Sequence, residues 1–231
     1  MVDGGSSSVK QLAAYRLEPY LRSQGVNRLD YVLVSHTDGD HTSGLMELLA
    51  AGWPLGSLIL SPQSAQDEAG KALVALAEEK GTKIILLAEG QTIHDGKVTL
   101  RCLHPDGGAY YADPNDACLV IKLAYKDFSL LLTGDVDQKT EEGLLGRLDV
   151  VSVLKVAHHG SKNSSGEAFL DKVKPQAAVA SSSRNNLYGH PHPDTLARLD
   201  GAGAQVYLTK DRGAVMLSTN GKRFRIHCFI D

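Results

Sequence analysis

The sequence predicts an α+β fold in which helices cover sheets, and three observations point to it. Segments with helical periodicity, caps and glycine stops alternate with short apolar runs along the whole chain. The middle, residues 83–133, is dominated by strand-like runs. Three apolar runs end directly in histidine or aspartate, which places chemistry at strand ends. With 231 residues, 42% of them hydrophobic, the chain can bury a full core, and one domain spanning 1–231 is expected.

In order, 12–21 reads as an amphipathic helix containing Pro19 and ended by Gly25, and 29–35 as a buried strand. Residues 42–51 read as a helix stopped by Gly52, and 57–60 as a short strand. The segment 64–80 reads as a strong helix with Asp67 at capping-box spacing and Gly81 as its stop. Strands are expected at 83–87, 97–103, 118–125 and 128–133, the last two joined by the turn Lys126-Asp127. A helix at 137–148, a strand at 150–157, helices at 166–173 and 193–199 around a strand at 177–180, and strands at 205–209, 214–218 and 223–229 complete the chain. No repeat or low-complexity linker interrupts this series.

Composition excludes some classes. No apolar run approaches the roughly 18–20 residues that span a bilayer, and no basic-then-apolar leader opens the sequence. A chain without membrane contact of its own is therefore expected. Cys102, Cys118 and Cys228 never fall in a C-x-x-C spacing, which argues against a disulfide framework or a thiolate zinc site and reads as buried thiols. The net charge of −3 conceals an asymmetry: residues 1–149 carry 13 basic and 21 acidic side chains (−8), residues 150–231 carry 11 and 6 (+5). Bound cations would offset the first, and an anionic substrate such as a phosphodiester backbone would suit the second, although scattered solvated lysines account for the charge equally well.

The chemistry-bearing residues cluster. His36-Thr37-Asp38-Gly39-Asp40-His41 follows the apolar run 31–34 and packs four metal-ligand side chains into six residues. Alternation puts His36 and Asp38 on one side of an extended segment, and Asp40 and His41 follow where a turn redirects them. Thr133-Gly134-Asp135 presents a carboxylate after the apolar run 130–132, and His158-His159-Gly160-Ser161 follows another apolar run. A fourth cluster, Asn185-Asn186-Leu187-Tyr188-Gly189-His190-Pro191-His192-Pro193, offers imidazole, amide and phenol groups to a substrate, with a packed turn as the competing reading. His190 suits proton donation to a leaving oxygen or a hold on a phosphate oxygen. Ser161, Lys162 and Ser164 offer hydroxyls, an ammonium and helix-start amides to an anion, while a serine-rich helix cap would look similar. His94, His104 and His227 fall outside these clusters and read as structural.

In order and spacing these motifs resemble the metallo-β-lactamase superfamily over nearly the whole chain, and more narrowly its ComEC-like branch, the C-terminal domain of competence DNA-uptake proteins. The resemblance implies an αββα four-layer sandwich and two divalent metal ions. It assigns His36 and Asp38 to one ion, Asp40, His41 and His159 to the other, and Asp135 as the bridge, with His158 the less favoured of its pair. Asp38, where a second histidine is usual, and the Gly189-His190-Pro191 loop point to the ComEC-like branch. Two departures matter: the region that commonly supplies a further histidine reads Asp113-Pro114-Asn115-Asp116, so Asn115 or Asp116 becomes a candidate ligand or supporting group, and Met1-Val2-Asp3-Gly4-Gly5 looks like the tail of a strand-turn that a hairpin normally precedes, which implies a trimmed fragment. Oxygen ligands harden the site, which makes manganese, or magnesium, as credible as zinc.

The function implied is two-metal phosphodiester hydrolysis, a DNA nuclease degrading the strand that is not taken up. Asp40 would orient the nucleophile or accept its proton, and His190 with Lys162 would stabilise the phosphate or leaving oxygen; Ser161, Ser164 and Tyr188 complete the phosphate contacts. The substrate would be DNA, single-stranded and read without sequence specificity, since neither a recognition helix nor an aromatic stacking ladder is evident. The resemblance also implies a longer parent polypeptide in the bacterial cell membrane, with a membrane channel domain upstream. A small-molecule phosphodiesterase, an esterase or lactonase of the same fold, and a non-catalytic DNA-binding module are the alternatives.

Overall fold

Val32, Val34, Leu58 and Leu60 are completely shielded from solvent, and strands so enclosed on both faces are those of a parallel sheet. The computed structural model describes residues 1–230 and divides into two units, residues 1–88 with 105–119, and residues 89–104 with those from 120 onward.

In the first unit a π-helical turn, Ala13–Leu17, leads into helix α1, Glu18–Ser23. Pro19 explains the widened turn, because its nitrogen donates no hydrogen bond and its ring crowds the carbonyl four residues back. Strand β1 (Leu29–Leu33), helix α2 (Gly39–Ala50), strand β2 (Leu55–Leu60), helix α3 (Glu68–Glu79) and strand β3 (Lys83–Leu86) follow. The sheet order is β1-β2-β3, all parallel. Leu45, Leu48 and Leu49 of α2 and Leu73 and Ala77 of α3 bury one stripe each in the core under this sheet.

Two expected helix starts move. The helix read at 42–51 begins at Gly39, so Asp40 and His41 stand in its first turn instead of in a loop. The helix read at 64–80 begins at Glu68, because Asp67 is itself the cap, its Oδ1 accepting the Gly70 amide at 2.6 Å. Ser64 instead belongs to the preceding turn, whose carbonyl lies where a Cβ at residue 70 would be, 1.6 Å away; only glycine fits. The same requirement recurs at the N-terminus, where residues 2–3 pair alongside β1. A Cβ on Gly5 would sit 2.5 Å from the backbone of Asp40, so the segment passes directly over the start of α2.

The second unit contains β4 (Thr92–Asp95), β5 (Val98–His104), β6 (Val120–Tyr125), β7 (Phe128–Leu132), α4 (Gln138–Leu144), β8 (Val153–Lys155), α5 (Glu167–Val173), β9 (Ala177–Ala180), α6 (Pro193–Gly201), β10 (Gln205–Leu208), α7 (Thr209–Arg212) and the hairpin β11 (Val215–Thr219) and β12 (Phe224–Cys228). The seven-stranded sheet runs β10-β9-β8-β7-β6-β5-β4, antiparallel from β4 to β7 and parallel from β7 to β10. Phe224, Ile226 and Leu217 of the hairpin pack against Phe128, Val153 and Ala177 of the sheet.

Strand β4 and helix α7 were not anticipated. Each is four residues long, and β4 is a largely exposed edge with one apolar residue, Ile93, so neither carries a periodic signal. The strand read at 118–125 starts at Val120, because the Leu119 amide donates to the Ser35 carbonyl at 2.8 Å. The strand read at 150–157 shrinks to three residues. Among the described residues no helix is long and apolar enough to cross a membrane.

Candidate metal centre

Parallel strands bring their C-terminal ends to one edge, where open α/β sheets place ligands. In the first unit that edge carries 36–41. His36 is buried and Asp38 half exposed, with Nε2 of His36 3.6 Å from Oδ2 of Asp38. Nε2 of His41 lies 4.0 Å from Oδ2 of Asp40, and the two imidazole rings are 4.0 Å apart.

Asp3, which the sequence reading did not single out, organises this group. Its Oδ1 accepts the Ser35 amide at 2.8 Å and its Oδ2 accepts the Ser35 hydroxyl at 2.9 Å. The same Oδ2 lies 3.0 Å from Nδ1 of His41, and an ionised carboxylate only accepts, so that nitrogen carries the proton. With its own proton given to Asp3, the Ser35 hydroxyl accepts from Nδ1 of His36 at 3.1 Å. Both rings are thereby set in the tautomer whose Nε2 carries a lone pair, the form a metal ion requires. The signal in the sequence was Asp3-Gly4-Gly5, a carboxylate beside glycines that permit close backbone approach.

In the second unit the register Leu132↔Lys155↔Val179 aligns the ends of β7, β8 and β9. Asp135 follows β7 and is buried. Its Oδ2 is 3.8 Å from Nε2 of His158 and 3.7 Å from Nε2 of His159. These spacings exceed the roughly 3.2 Å of a hydrogen bond and fall within reach of ligand atoms sharing an ion about 2.1 Å from each. His158 and His159 both adopt left-handed backbone, φ 46° and 54°, which turns both imidazoles toward Asp135. Nδ1 of His159 donates to the Ser181 carbonyl at 2.9 Å, again leaving the lone pair on Nε2, whereas the His158 ring stands edge-on to His190 at 5.6 Å. A Cβ on Gly160 would meet Pro191 at 2.4 Å, so glycine there lets the 188–192 loop close over the histidines.

The substrate-side expectations fare unevenly. Ser164 is wholly buried, its hydroxyl shared between the carbonyls of Ala157 and Ser161, which removes it from any phosphate. Ser161 is likewise enclosed, its carbonyl accepting from Thr195 at 2.7 Å. The helix-start amides expected to meet an anion already meet one: Glu141, from α4, accepts Ser165 N at 2.7 Å and Gly166 N at 2.8 Å. Lys162 is exposed and 3.7 Å from Asp194. Burial, reinforced by His158 and His159, lowers the pKa of His190, so its imidazole is neutral at pH 7 and acts as a hydrogen-bonding group instead of a cation. Tyr188 is open to solvent and stacks on His190 at 5.8 Å.

Asn115 and Asp116 sit on a 3-10 turn, Pro114–Ala117, capped by Asp113, which accepts the Asn115 amide at 2.9 Å. The turn leads into Leu119, hydrogen-bonded to the residue before His36, and Oδ1 of Asn115 is buried without a hydrogen-bond partner among the described residues. The cysteines stay out of the chemistry. Cys102 is buried, donates to the His104 carbonyl, and burial pushes its thiol up to about 12, far from the thiolate a metal needs.

Glu141 shows what the second unit's loop costs. Burial raises its pKa to about 7, against the two amides that favour the charged form. Because the folded chain then binds this proton more tightly than the unfolded chain, its contribution to stability falls as pH rises from about 4.5 to about 7. Glu141→Gln places an NH2 against an amide donor and is expected to lower stability by about 2–4 kcal/mol. In urea melts the gap between wild type and variant should be wider at pH 5 than at pH 8; a gap that grows with pH would contradict this account.

The donor set, imidazole nitrogen with carboxylate oxygen and no thiolate, fits divalent zinc, manganese or iron. The sequence model of the metallo-β-lactamase superfamily matches residues 1–184. The chain belongs to the metallo-β-lactamase superfamily. Two curated relatives carry the resemblance into its competence branch. ComE operon protein 3 of Bacillus subtilis is 29% identical over 201 residues, covering 86% of this chain and 26% of that protein. Competence protein ComA of Neisseria gonorrhoeae is 31% identical over 219 residues, covering 91% and 29%. The chain thus spans only about a quarter of the length of these relatives. Among solved structures, the metallo-β-lactamase fold protein YhfI from Bacillus subtilis superposes with a TM-score of 0.57 at 14% identity, covering 90% of this chain and 82% of that one. At that identity the likeness shows the fold alone, the α+β class expected from the sequence.

Proposed function

We propose that this chain is a metal-dependent phosphodiesterase acting on DNA, with His36, Asp38, Asp40, His41, Asp135 and His159 as ligands of two divalent ions, manganese or zinc, and His158 and Asn115 as supporting groups. The observation that supports the reading is the set of imidazole orientations: three histidines are held through Nδ1 by Ser35, Asp3 and the Ser181 carbonyl, which puts the lone pair a metal ion would take on each Nε2. Residues that merely fill a core do not need that shared orientation. When bound, the ions supply Lewis acidity that brings the pKa of water toward about 7 and screens the phosphodiester charge.

The protein's own groups do the rest. Asp40, 40% exposed at its side chain, is accessible to hold the attacking water and take its proton. His190, neutral and donating through one ring nitrogen, holds a phosphate or leaving oxygen. Lys162 joins it only by leaving Asp194, which an exposed pair worth at most about 1 kcal/mol allows. The excess of 11 basic over 6 acidic residues in 150–231 favours a polyanion, and no element shaped for base-sequence reading supports specificity. In the longer competence proteins that this chain resembles, such an activity would remove the strand that does not pass through a membrane channel.

The test is direct. Purified chain with labelled single- and double-stranded DNA should cleave in manganese or zinc, and cleavage should stop with chelator and in His41→Ala. Hydrolysis of nitrophenyl esters with no DNA cleavage under zinc, manganese or magnesium would replace this reading with a small-molecule hydrolase.

A further inference from the structure

The loop from Arg184 to His190 is built to hold an aromatic ring in the open. Asn186 clasps it from both directions: its Nδ2 donates to the carbonyls of Ser183 at 2.9 Å and His190 at 2.7 Å, while its Oδ1 accepts the His190 amide at 2.7 Å. Arg184 ties the other end, donating through Nε to the Lys210 carbonyl at 2.7 Å. Within this clasped turn Leu187 is 98% and Tyr188 78% exposed. An apolar pair shown so fully to water by a pinned backbone burial does not explain, since the hydrophobic effect favours folding it away.

The Tyr188 ring is not idle. It lies nearly parallel to the His190 ring, 29° between planes and 5.8 Å between centroids, with its other face open. His190 in turn stands 5.6 Å from His158, whose Nε2 is 3.8 Å from Asp135. One stacked ring therefore separates the open face from the ligand group. Arg184 reaches the backbone of α7, a helix whose last turn carries Lys210 and Arg212, the charge a phosphate backbone seeks.

We infer that Tyr188 is a stacking platform for the nucleobase flanking the cleaved phosphodiester, so that the site grips single-stranded nucleic acid by its bases as well as its backbone. The inference rests on the phosphodiesterase reading and deepens it. Aromatic stacking tolerates every base, which matches a site without sequence specificity. Base-paired strands hide their faces from such a ring, so the same contact favours single strands. Leu187 beside it extends the apolar surface over which the base slides into place.

The experiment compares labelled oligothymidylate with an abasic oligomer of equal length, in the full chain with manganese, for wild type, Tyr188→Ala and Tyr188→Trp. Wild type should prefer the base-bearing strand in kcat/KM. Tyr188→Ala should lose that preference through a KM rise of about 5- to 150-fold on oligothymidylate, and Tyr188→Trp should keep it. If wild type cleaves both strands equally, or Tyr188→Ala keeps the preference, or Tyr188→Trp loses it as alanine does, the stacking role is overturned and the phosphodiesterase reading stands. If wild type cleaves neither strand under any divalent ion, both fall together.

Discussion

Replacing Asp135 by alanine is expected to lower DNA cleavage by more than about 10³-fold and to reduce bound metal below the wild-type content. The carboxylate is buried at the end of β7, and one of its oxygens lies within 3.8 Å of two imidazole nitrogens. Its position is secured from the backbone: Thr133 donates to the Lys155 carbonyl at 2.7 Å, and the Gly134 carbonyl accepts the His158 amide at 3.0 Å. Loss of a single preorganised electrostatic group costs about 10²- to 10³-fold in other enzymes, and a group shared by two ligand nitrogens should cost more. Elemental analysis and single-turnover cleavage, with circular dichroism to confirm the fold, decide the matter. A variant that keeps its full metal content and rate would remove Asp135 from the centre.

Asp3→Asn should cost about 10- to 100-fold in metal affinity while keeping the fold, because it changes what His41 is held by and not His41 itself. The wild-type carboxylate accepts three donors, two from Ser35 and one from His41. Asparagine offers one accepting oxygen and an NH2 group, which turns a donor toward either the Ser35 hydroxyl or Nδ1 of His41. The imidazole then shifts its proton to Nε2 or rotates, and either outcome spoils a ligand. Isothermal titration with manganese, alongside a denaturant melt, separates this from a general loss of structure. Wild-type affinity in the variant would show that Asp3 only packs the N-terminal segment.

The candidate ligand residues stand out in the sequence because each follows an apolar strand, and a strand end in a parallel sheet is where side chains converge. His36 to His41, Asp135 and the 158–159 pair all carry that signature. Their supports do not. Asp3 lies 38 positions from His41, and pairing at that distance leaves no periodic trace. Ser164 looked like a phosphate contact because serines before a helix cap and bind anions alike, and only burial tells them apart. Glu141, unremarked in the sequence within the helix read at 137–148, is the carboxyl that takes the amides the serine-rich turn offers. The helix starts at Gly39 and Glu68 shifted through close backbone approaches: the Ser64 carbonyl against Gly70, beside the Asp67 cap, and the segment crossing at Gly5 over the start of α2.

The left-handed backbone at His158 and His159 sets stability and chemistry against each other. Each such residue carries a conformational cost of about 1–3 kcal/mol that glycine would not incur. Glycine at both positions would relieve that cost and remove the two imidazoles with it. Under the proposed metal reading, a doubly substituted chain is therefore expected to unfold at higher denaturant concentration while binding metal more weakly, so at this loop stability and metal affinity trade against each other.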